Sequence, residues 1–341
     1  MSTTVSVICL AYNHEKYIRK TLEGFVMQKT NFSVEYIIHD DASTDSTASI
    51  IREFEEKYPD LIKPIYQKEN QYSKGVSISR NLQMQVKGKY MAFCEGDDYW
   101  TDEYKLQKQV TFMEQHTDCT LTIHNGFRLN DRTGRFKPLN PYKTRGFLSM
   151  AEVLVESGGM TPTASMVIKS DALKKMPMDV FRIPGVGDRP KRLYLATQGS
   201  VYYFDDIMCV YRTDNMNSFG GTIMRDNKKS KKLLENMLSF FDRFDKYTGF
   251  KYTDAIELAK SKEHYLYYIR EKMYPEAAKT LFIKKCRKET SLLMDDALER
   301  YKLLLRTYPH IEQHVSQYHI ASYLGIKPES LSRLKSLNIG Q

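Results

Sequence analysis

The chain has few cysteines, and they are not spaced for pairing or for metal binding. Its five cysteines are spread over 341 residues, and none belongs to a Cys-x-x-Cys pair. An odd number of separated cysteines favours a reducing compartment over a disulfide-stapled secreted protein. Hydrophobic runs are short as well, since none approaches 18 residues, and the apolar segment 5–10 lacks the charged front of a signal peptide. We therefore expect a cytoplasmic protein.

Two common nucleotide-binding signatures are missing too. No G-x-G-x-x-G follows the first apolar run, and no Walker pattern occurs anywhere in the chain. The first absence argues against a dinucleotide cofactor, and the second argues against a P-loop nucleotide hydrolase. The composition, with 41% hydrophobic and 27% charged residues, is that of a globular protein long enough for two or three domains.

Strand-like and helix-like patterns alternate through the first hundred residues. Short apolar or β-branched runs predict strands at Val5–Leu10, Val34–His39, Ile62–Tyr66 and Tyr90–Phe93. Apolar residues at helical spacing predict helices at Glu15–Gln28, Ser46–Tyr58 and Val76–Val86. Strands that alternate with helices of this length predict βαβ units around a parallel sheet.

Carboxylates follow two of the predicted strands. Glu95, Asp97 and Asp98 come after the fourth strand, and Asp40 and Asp41 come after the second. Ligands of open α/β sheets bind at the carboxyl ends of the strands. Mg²⁺ and Mn²⁺ prefer oxygen ligands and often bridge to phosphate oxygens. The acids therefore predict a metal–diphosphate site, and the alternative is a turn that uses Asp and Gly for its geometry.

In order and spacing, these motifs resemble the glycosyltransferases of family 2, which have the GT-A fold. The matching segments, all within residues 3–220, are Val5–Asn13, Asp40–Asp45, Gly75–Asn81, Glu95–Trp100, Gly187–Asp188 and Val210–Arg212. The resemblance implies a mixed α/β sheet flanked by helices and a hexosyltransferase-like activity. It implies an inverting, divalent-metal-dependent enzyme that moves a sugar from a nucleotide-diphosphate sugar to a glycan or lipid-linked acceptor. The setting it implies is cell-envelope polysaccharide biosynthesis.

The resemblance also assigns a donor site, in which a UDP-sugar is expected. Tyr12 and the adjoining backbone would line the base, and Asp41 would hydrogen-bond its uracil-like edge. Arg80 and Arg212 would lie near the diphosphate. The complete expected donor-binding set is Leu10, Ala11, Tyr12, Asn13, Asp41, Arg80, Glu95, Gly96, Asp97 and Arg212.

The remaining roles concern metal, acceptor and base. Asp97 and Asp98 would hold Mg²⁺ or Mn²⁺, with Asp98 as the direct ligand, and Trp100 would border the acceptor. Asp188 would take the proton of the attacking hydroxyl, which is too weak an acid to react unaided. A single base opposite the leaving group implies inversion.

Each assignment has a structural alternative. Asp188 fits a turn, and Asp41 fits a loop that caps a helix. Arg80 fits a solvated helix face or a structural ion pair, and Tyr12 fits ordinary core packing.

Nearly all of the net charge lies in the C-terminal third. Residues 1–221 have 28 Lys+Arg against 27 Asp+Glu, whereas residues 222–341 have 23 against 15. Lysines at 228, 229, 231 and 232 precede an apolar stripe from Leu233 to Phe244 at helical spacing, and Ile256–Lys288 predicts further helix. A basic amphipathic helix fits peripheral association with the inner face of a membrane, or packing on the catalytic domain.

The last segment has a separate resemblance, to the helix-turn-helix of cyclic-AMP receptor type regulators. The match is closest over Gln317–Arg333, with a turn at Gly325 and a helix opened by Pro328. It implies that Ser330 and Arg333 would face a DNA groove. We therefore expect three parts: a catalytic domain at 1–221, a basic helical region at 222–292 and a helix-turn-helix-like unit at 293–341. The alternative function is a DNA-binding regulator with a nucleotide-sugar-sensing domain.

Overall fold

The chain divides into two compact units, Met1–Gly221 and Thr222–Gln341. The computed structural model describes residues 4–141, 143–155, 161–213, 226–274, 297–308, 311–324 and 326–339, together with Ile223 and Glu276. The second unit is one cluster here, and its division into 222–292 and 293–341 stays a prediction.

The first unit is built on one mixed sheet. Its strands are β1 (Val5–Ala11), β2 (Val34–Asp40), β3 (Ile62–Tyr66), β4 (Tyr90–Phe93), β5 (Tyr99–Trp100), β6 (Cys119–Asn130), β7 (Arg135–Pro138), β8 (Gly146–Phe147), β9 (Val167–Lys169) and β10 (Ser200–Thr213). Their order is β3-β2-β1-β4-β9-β6-β10-β5, with β7 beside β6 and β8 beside β10. β1 to β4 are parallel, and β9 runs antiparallel to β4 and β6. The predicted strands and the parallel start of the sheet are confirmed.

Helices cover this sheet. They are α1 (Ile18–Val26), α2 (Thr47–Lys57), α3 (Ile78–Gln85), α4 (Lys105–Gln115), α5 (Met150–Val155), α6 (Ser170–Lys174), α7 (Met178–Phe181) and α8 (Asp188–Gln198). The first helix begins at Ile18, three residues later than predicted from Glu15. The Glu15 carboxylate instead accepts a hydrogen bond from the amide of Ser46 at 3.1 Å, and this contact joins two loops.

β1 is the centre of the packing because it has a parallel neighbour on each side. Its residues are buried except for Leu10, which is partly buried, as expected for a strand with both faces covered. Val7 and Cys9 pack in one cluster with Ile38 of β2 and Ala92 of β4. This packing brings the carboxyl ends of β1, β2 and β4 to one edge of the sheet.

The second unit is helical where it is described. Its helices are α9 (Asn227–Tyr247), α10 (Thr253–Arg270), α11 (Ala297–Thr307), α12 (Ile311–His314), α13 (Gln317–Leu324) and α14 (Pro328–Ile339). The Asp226 side chain caps α9 by accepting from the amide of Lys229 at 3.0 Å. Of the predicted helix Ile256–Lys288, the part up to Arg270 is described as helix, and residues 277–288 lie outside the described residues. Within the described residues, every helix is too short or too polar to cross a bilayer.

The second unit has a hydrophobic core of its own. Tyr265 of α10 packs with Tyr308 and with residues of the last four helices, namely Tyr301, Leu304, Ile311, Ile320, Ala321, Leu324 and Leu331. α13 and α14 are therefore held by apolar contacts on one side. Ser330 and Arg333 are exposed, and Gly325 lies outside the described residues. DNA binding by this pair of helices stays a prediction.

Candidate active site

The acidic loop after β4 lies beside the end of β1. The pairing of β1 with β4 ends at Ile8 and Phe93, and the amide of Gly96 then donates to the carbonyl of Leu10 at 2.9 Å. Thr21 of α1 stabilises the loop through its hydroxyl, which lies within hydrogen-bond distance of two carbonyls of the loop, that of Gly96 at 3.0 Å and that of Asp98 at 2.6 Å. The donor-site residues expected at 10–13 and 95–97 are thus brought together by backbone contacts.

Gly96 is required by the close approach of a histidine that sequence reasoning missed. A Cβ at this position would lie 2.7 Å from Nδ1 of His14 and 3.2 Å from the Cβ of Ala11. Burial lowers the pKa of His14, although Asp97 among other acids opposes this effect. The imidazole packs against the loop at Gly96.

Asp97 and Asp98 bring two like charges into the same loop. Asp98 is buried, and its Oδ1 accepts a hydrogen bond from the backbone amide of Arg212 at 2.9 Å. Burial and the charge of Asp97 raise the pKa of Asp98 well above its usual range. A cation between the two carboxylates would relieve both effects.

The carboxylates of the acidic loop fit a divalent cation that takes its remaining ligands from water or substrate. Among the described residues, no three His, Cys, Asp or Glu side chains stand together as a ready-made cage. Mg²⁺ commonly takes only one or two carboxylates and fills its other positions with water and substrate phosphate. Asp97 and Asp98 provide such a pair.

The loop after β2 is locked to its neighbours. Both carboxylate oxygens of Asp41 accept backbone amides, from Gln71 at 2.7 Å and from Tyr72 at 3.0 Å. Asn13, with φ of 54°, accepts the amide of Thr44 at 2.8 Å. Asp41 thus organises the 70s loop whether or not it also contacts a base, and its role toward uracil stays a prediction.

Tyr12 is not part of the core. Its side chain is 45% exposed, at the end of β1, so the core-packing alternative does not describe it. An exposed aromatic ring beside the loops of β1 and β2 is available to a flat ligand such as a nucleobase.

Arg80 has structural partners. Its guanidinium donates to the carbonyls of Leu173 at 3.1 Å and Lys174 at 2.8 Å, which end α6. A cation at this place satisfies the last carbonyls of a helix and complements its dipole. Arg80 also acts electrostatically on Lys191 of α8. Its contact with a diphosphate stays a prediction.

Arg212 links the acidic loop to a second acid that sequence reasoning missed. Its guanidinium pairs with Asp131 at 2.9 Å, and both side chains are mostly buried. The guanidinium also lies 4.9 Å from the ring centre of Tyr17 and 5.2 Å from that of Tyr99. Burial and Asp131 raise the pKa of Tyr17 to about 12, so its hydroxyl stays protonated. Asp131 carried no motif that could have identified it.

Trp100 lies in the core. It is 2% exposed, its Nε1 donates to the carbonyl of Ala164 at 2.9 Å, and its ring packs on Phe25 at 4.9 Å. The Lys105 ammonium stands 4.3 Å from the same ring. Contact of Trp100 with an acceptor stays a prediction, and its described contacts support the loop from inside.

Asp188 opens α8, where the positive end of the helix favours an ionised carboxylate. Arg192 lies one turn on, with its guanidinium 3.6 Å from the Asp188 carboxylate. Asp188 also raises the pKa of Glu95, which burial and Asp97 raise to about 7. The tertiary structure therefore brings Asp188 into the electrostatic range of the acidic loop, over a separation of about ninety residues. It is a helix-initiating residue and not a turn aspartate.

Part of the chain matches a known family. Residues 6–171 match the model of glycosyl transferase family 2. The chain is 35% identical over 212 residues to the uncharacterized protein Rv1520 of Mycobacterium tuberculosis, which covers 61% of this chain and 58% of that protein. It is 40% identical over 111 residues to the Escherichia coli UDP-Glc:alpha-D-GlcNAc-diphosphoundecaprenol beta-1,3-glucosyltransferase WfaP, covering 32% of this chain and 41% of that enzyme. The chain thus spans less than two thirds of these relatives.

A solved structure agrees in fold. The mannosyltransferase PcManGT from Pyrobaculum calidifontis, in complex with GDP-Man and Mn²⁺, aligns with a TM-score of 0.54 over 95% of this chain and 85% of that one, at 16% identity. The expected GT-A fold, a mixed sheet flanked by helices with a helical C-terminal region, is confirmed. The expected family 2 glycosyltransferase domain is confirmed as well.

Proposed function

We propose that this chain, whose residues 6–171 form a glycosyl transferase family 2 domain, transfers a sugar from a nucleotide-diphosphate donor to a glycan or lipid-linked acceptor. The transfer inverts the configuration at the anomeric carbon of the sugar and depends on a divalent metal. The observation that supports the proposal is the position of the Glu95–Asp98 loop beside the end of β1 in a GT-A sheet, where Asp188 also acts electrostatically on Glu95.

Different residues act on the leaving group and on the acceptor. The leaving diphosphate gains negative charge as the glycosidic bond breaks, and a cation held by Asp97 and Asp98 would act as a Lewis acid toward it. Asp188 accepts the proton of the attacking hydroxyl as the new bond forms. Arg192, whose guanidinium lies 3.6 Å from the Asp188 carboxylate, orients that carboxylate. With one base, the reaction is a single displacement with inversion.

The relatives support the substrate class. WfaP, by its name, takes UDP-glucose and a saccharide on diphosphoundecaprenol. We extend to this chain a nucleotide-sugar donor, with UDP-sugars first, and a glycan or lipid-linked acceptor of cell-envelope polysaccharide synthesis. We propose that this reaction takes place on the cytoplasmic side, at the inner face of the membrane.

A donor screen tests the proposal. Purified full-length chain would be mixed with UDP- and GDP-sugars in Mg²⁺, Mn²⁺ or excess chelator, and release of nucleotide and thermal stabilisation would be measured. We expect one donor to stabilise the protein and to be turned over with metal but not with chelator. With that donor and a lipid-linked GlcNAc-diphosphate, the anomeric configuration of the product, read by NMR, should be opposite to that of the donor.

Three outcomes would contradict the proposal. Turnover that is unaffected by chelator would refute the metal requirement. Retention of the anomeric configuration would refute the single displacement. If no nucleotide sugar binds or reacts, the transfer function itself fails.

A further inference from the structure

The hairpin that β6 and β7 form carries a local excess of positive charge. Its cations between residues 128 and 137 are Arg128, Arg132, Arg135 and Lys137. The single acid of this stretch, Asp131, is engaged by Arg212 in the ion pair described above. Residues 1–221 have 28 basic against 27 acidic side chains, so the excess belongs to the hairpin and not to the domain as a whole.

The strand register places three of these cations on one face of the sheet. Lys137 of β7 stands opposite Arg128 of β6, and Arg135 stands opposite Asn130. Because side chains alternate along a strand, these four positions share a face. Directly opposed residues have their Cβ atoms about 4.5–5.5 Å apart, and like charges at this spacing destabilise a sheet. An anion bound on this face would remove the repulsion.

The cations of β7 are accessible to such an anion. Every residue of β7 is exposed, and no carboxylate of the described residues forms a salt bridge with Arg135 or Lys137. Charges on an edge strand often serve only to prevent pairing with another chain. That role would account for Lys137, but it does not require a second cation, Arg128, directly opposite.

This face adjoins the candidate active site through β10. β6 lies beside β10, with Tyr211 opposite Arg128 and Arg212 opposite Leu129. The amide of Arg212 is the group that donates to the Asp98 carboxylate. Neighbouring strands lie about 4.8 Å apart, so β7 is about 10 Å from the part of β10 that holds the acidic loop. A sugar residue and the phosphates attached to it can span that distance.

We propose that the face shared by Arg128, Arg135 and Lys137 binds the diphosphate of a lipid-linked saccharide acceptor. This inference rests on the proposed function and narrows its acceptor to one that carries a diphosphate. Arginine and lysine are the side chains that bind phosphate groups, through hydrogen bonds between ionised partners. The metal at the acidic loop serves the donor diphosphate, so the charge of the acceptor needs cations of its own.

Binding of two soluble acceptors tests the site. Octyl GlcNAc-diphosphate and the octyl glycoside of GlcNAc, which lacks the diphosphate, would be titrated into the full-length chain by calorimetry, in excess chelator. We expect the diphosphate compound to bind at least about tenfold more tightly, because its charged oxygens accept from the cations. Its affinity should fall as salt rises. In Arg135→Gln/Lys137→Gln, this preference should fall by about tenfold or more, since two charged donors are lost.

Matched variants separate charge from structure. Arg135→Lys/Lys137→Arg keeps both charges and should retain a substantial part of the preference. Lys57→Gln/Lys63→Gln removes two exposed lysines of α2 and β3, at the other end of the sheet, and should bind both acceptors as the wild-type chain does. Affinity for UDP in Mn²⁺ should be unchanged in every variant, which shows that the donor site is intact.

Kinetics give a second readout. With a donor that is turned over, Arg135→Gln/Lys137→Gln should raise KM for octyl GlcNAc-diphosphate by about tenfold or more at nearly constant kcat, because binding and not chemistry is affected. The octyl glycoside should react equally well with the wild-type chain and with this variant.

Several results would overturn the proposal. These are equal affinity of the wild-type chain for both acceptors, an unchanged preference in the glutamine variant, or an equal loss for both acceptors in that variant. Self-association of the variant with its preference intact would show that the cations protect an edge strand. Loss of binding to phosphatidylglycerol vesicles, again with the preference intact, would assign the cations to a membrane surface.

The two proposals fail in different ways. If the wild-type chain transfers sugar to both acceptors equally well, the transfer function holds and the diphosphate site is wrong. If the wild-type chain neither binds nor turns over any nucleotide sugar, the transfer function is wrong. The acceptor assignment then falls with it, whatever the affinity for octyl GlcNAc-diphosphate.

Discussion

The backbone amide of Arg212 donates a hydrogen bond of 2.9 Å to the carboxylate of Asp98. This contact joins the end of β10 to the acidic loop after β4, across more than a hundred residues of sequence. It occupies Oδ1 of Asp98 with a neutral partner and leaves Oδ2 for a cation. Asp98 is therefore a structural and a chemical residue at once, and the two roles can be separated.

Asp98→Asn separates them. The amide oxygen of asparagine can still accept from Arg212, so the fold should persist, whereas the charged ligand is lost. We expect transfer to be abolished and metal-dependent donor binding to weaken by at least about tenfold, as measured by turnover and calorimetry with and without Mn²⁺. Asp60→Asn, on the exposed surface, is the control. Full activity in Asp98→Asn would refute the metal assignment.

Asp188→Asn tests the base. The substitution keeps the size of the side chain but removes its ability to accept a proton. We expect kcat to fall by about 10²-fold or more, the usual scale for a lost general base, with donor affinity nearly unchanged. A collapse of donor affinity in this variant would make Asp188 a donor contact and would place the base elsewhere.

Gly96→Ala tests the packing of the acidic loop on His14. The new Cβ would lie 2.7 Å from Nδ1, so the ring or the loop must move. We expect unfolding free energy to fall by about 1–3 kcal/mol, the usual cost of overpacking, together with weaker donor binding. Thermal and denaturant unfolding measure the first effect.

A second substitution checks the cause. His14→Ala in the Gly96→Ala background should restore part of the stability, because it removes the nearest clashing atom. Gly146→Ala serves as the control, since no atom lies within 4 Å of its Cβ position. If the double variant is no more stable than Gly96→Ala, contact with Ala11 or Ile18 is responsible instead.

Asp41→Asn tests the loop that follows β2. One carboxylate oxygen is replaced by an amide NH₂ group. This donor would then face a second donor, the backbone N–H of either Gln71 or Tyr72. We expect a loss of about 1–3 kcal/mol of stability, the scale of an unsatisfied buried donor. Loss of loop order should weaken binding of UDP and GDP alike, as measured by calorimetry. A loss confined to UDP would instead support direct recognition of the uracil edge.

The basic C-terminal unit is predicted to bind neither membrane nor DNA strongly. The apolar side chains of α9, among them Phe240, Phe241 and Phe244, are buried and so unavailable to a bilayer, while its four N-terminal lysines are exposed. We expect weak, salt-sensitive binding of the full chain to phosphatidylglycerol vesicles. We also expect no sequence preference for duplex DNA. Sequence-specific DNA binding that Arg333→Ala weakens would favour the regulator alternative.

The sequence alone was enough for the first four strands and for the placement of acids at their ends. This is because the period of apolar residues and the position of a strand end are local properties. In α/β proteins, parallel strands align and ligands bind at their carboxyl ends. These two rules predict that Asp41 and Glu95–Asp98 lie at one edge of the sheet. The family resemblance added Asp188.

Tertiary structure decided which side chains meet. Asp131 lies in a stretch with no motif, and it becomes part of the site only because the end of β6 lies beside Arg212 of β10. Trp100, expected at the acceptor, is enclosed by Phe25 and the Ala164 carbonyl. Such contacts depend on long-range packing between elements, and the local periodicity of a sequence carries no information about them.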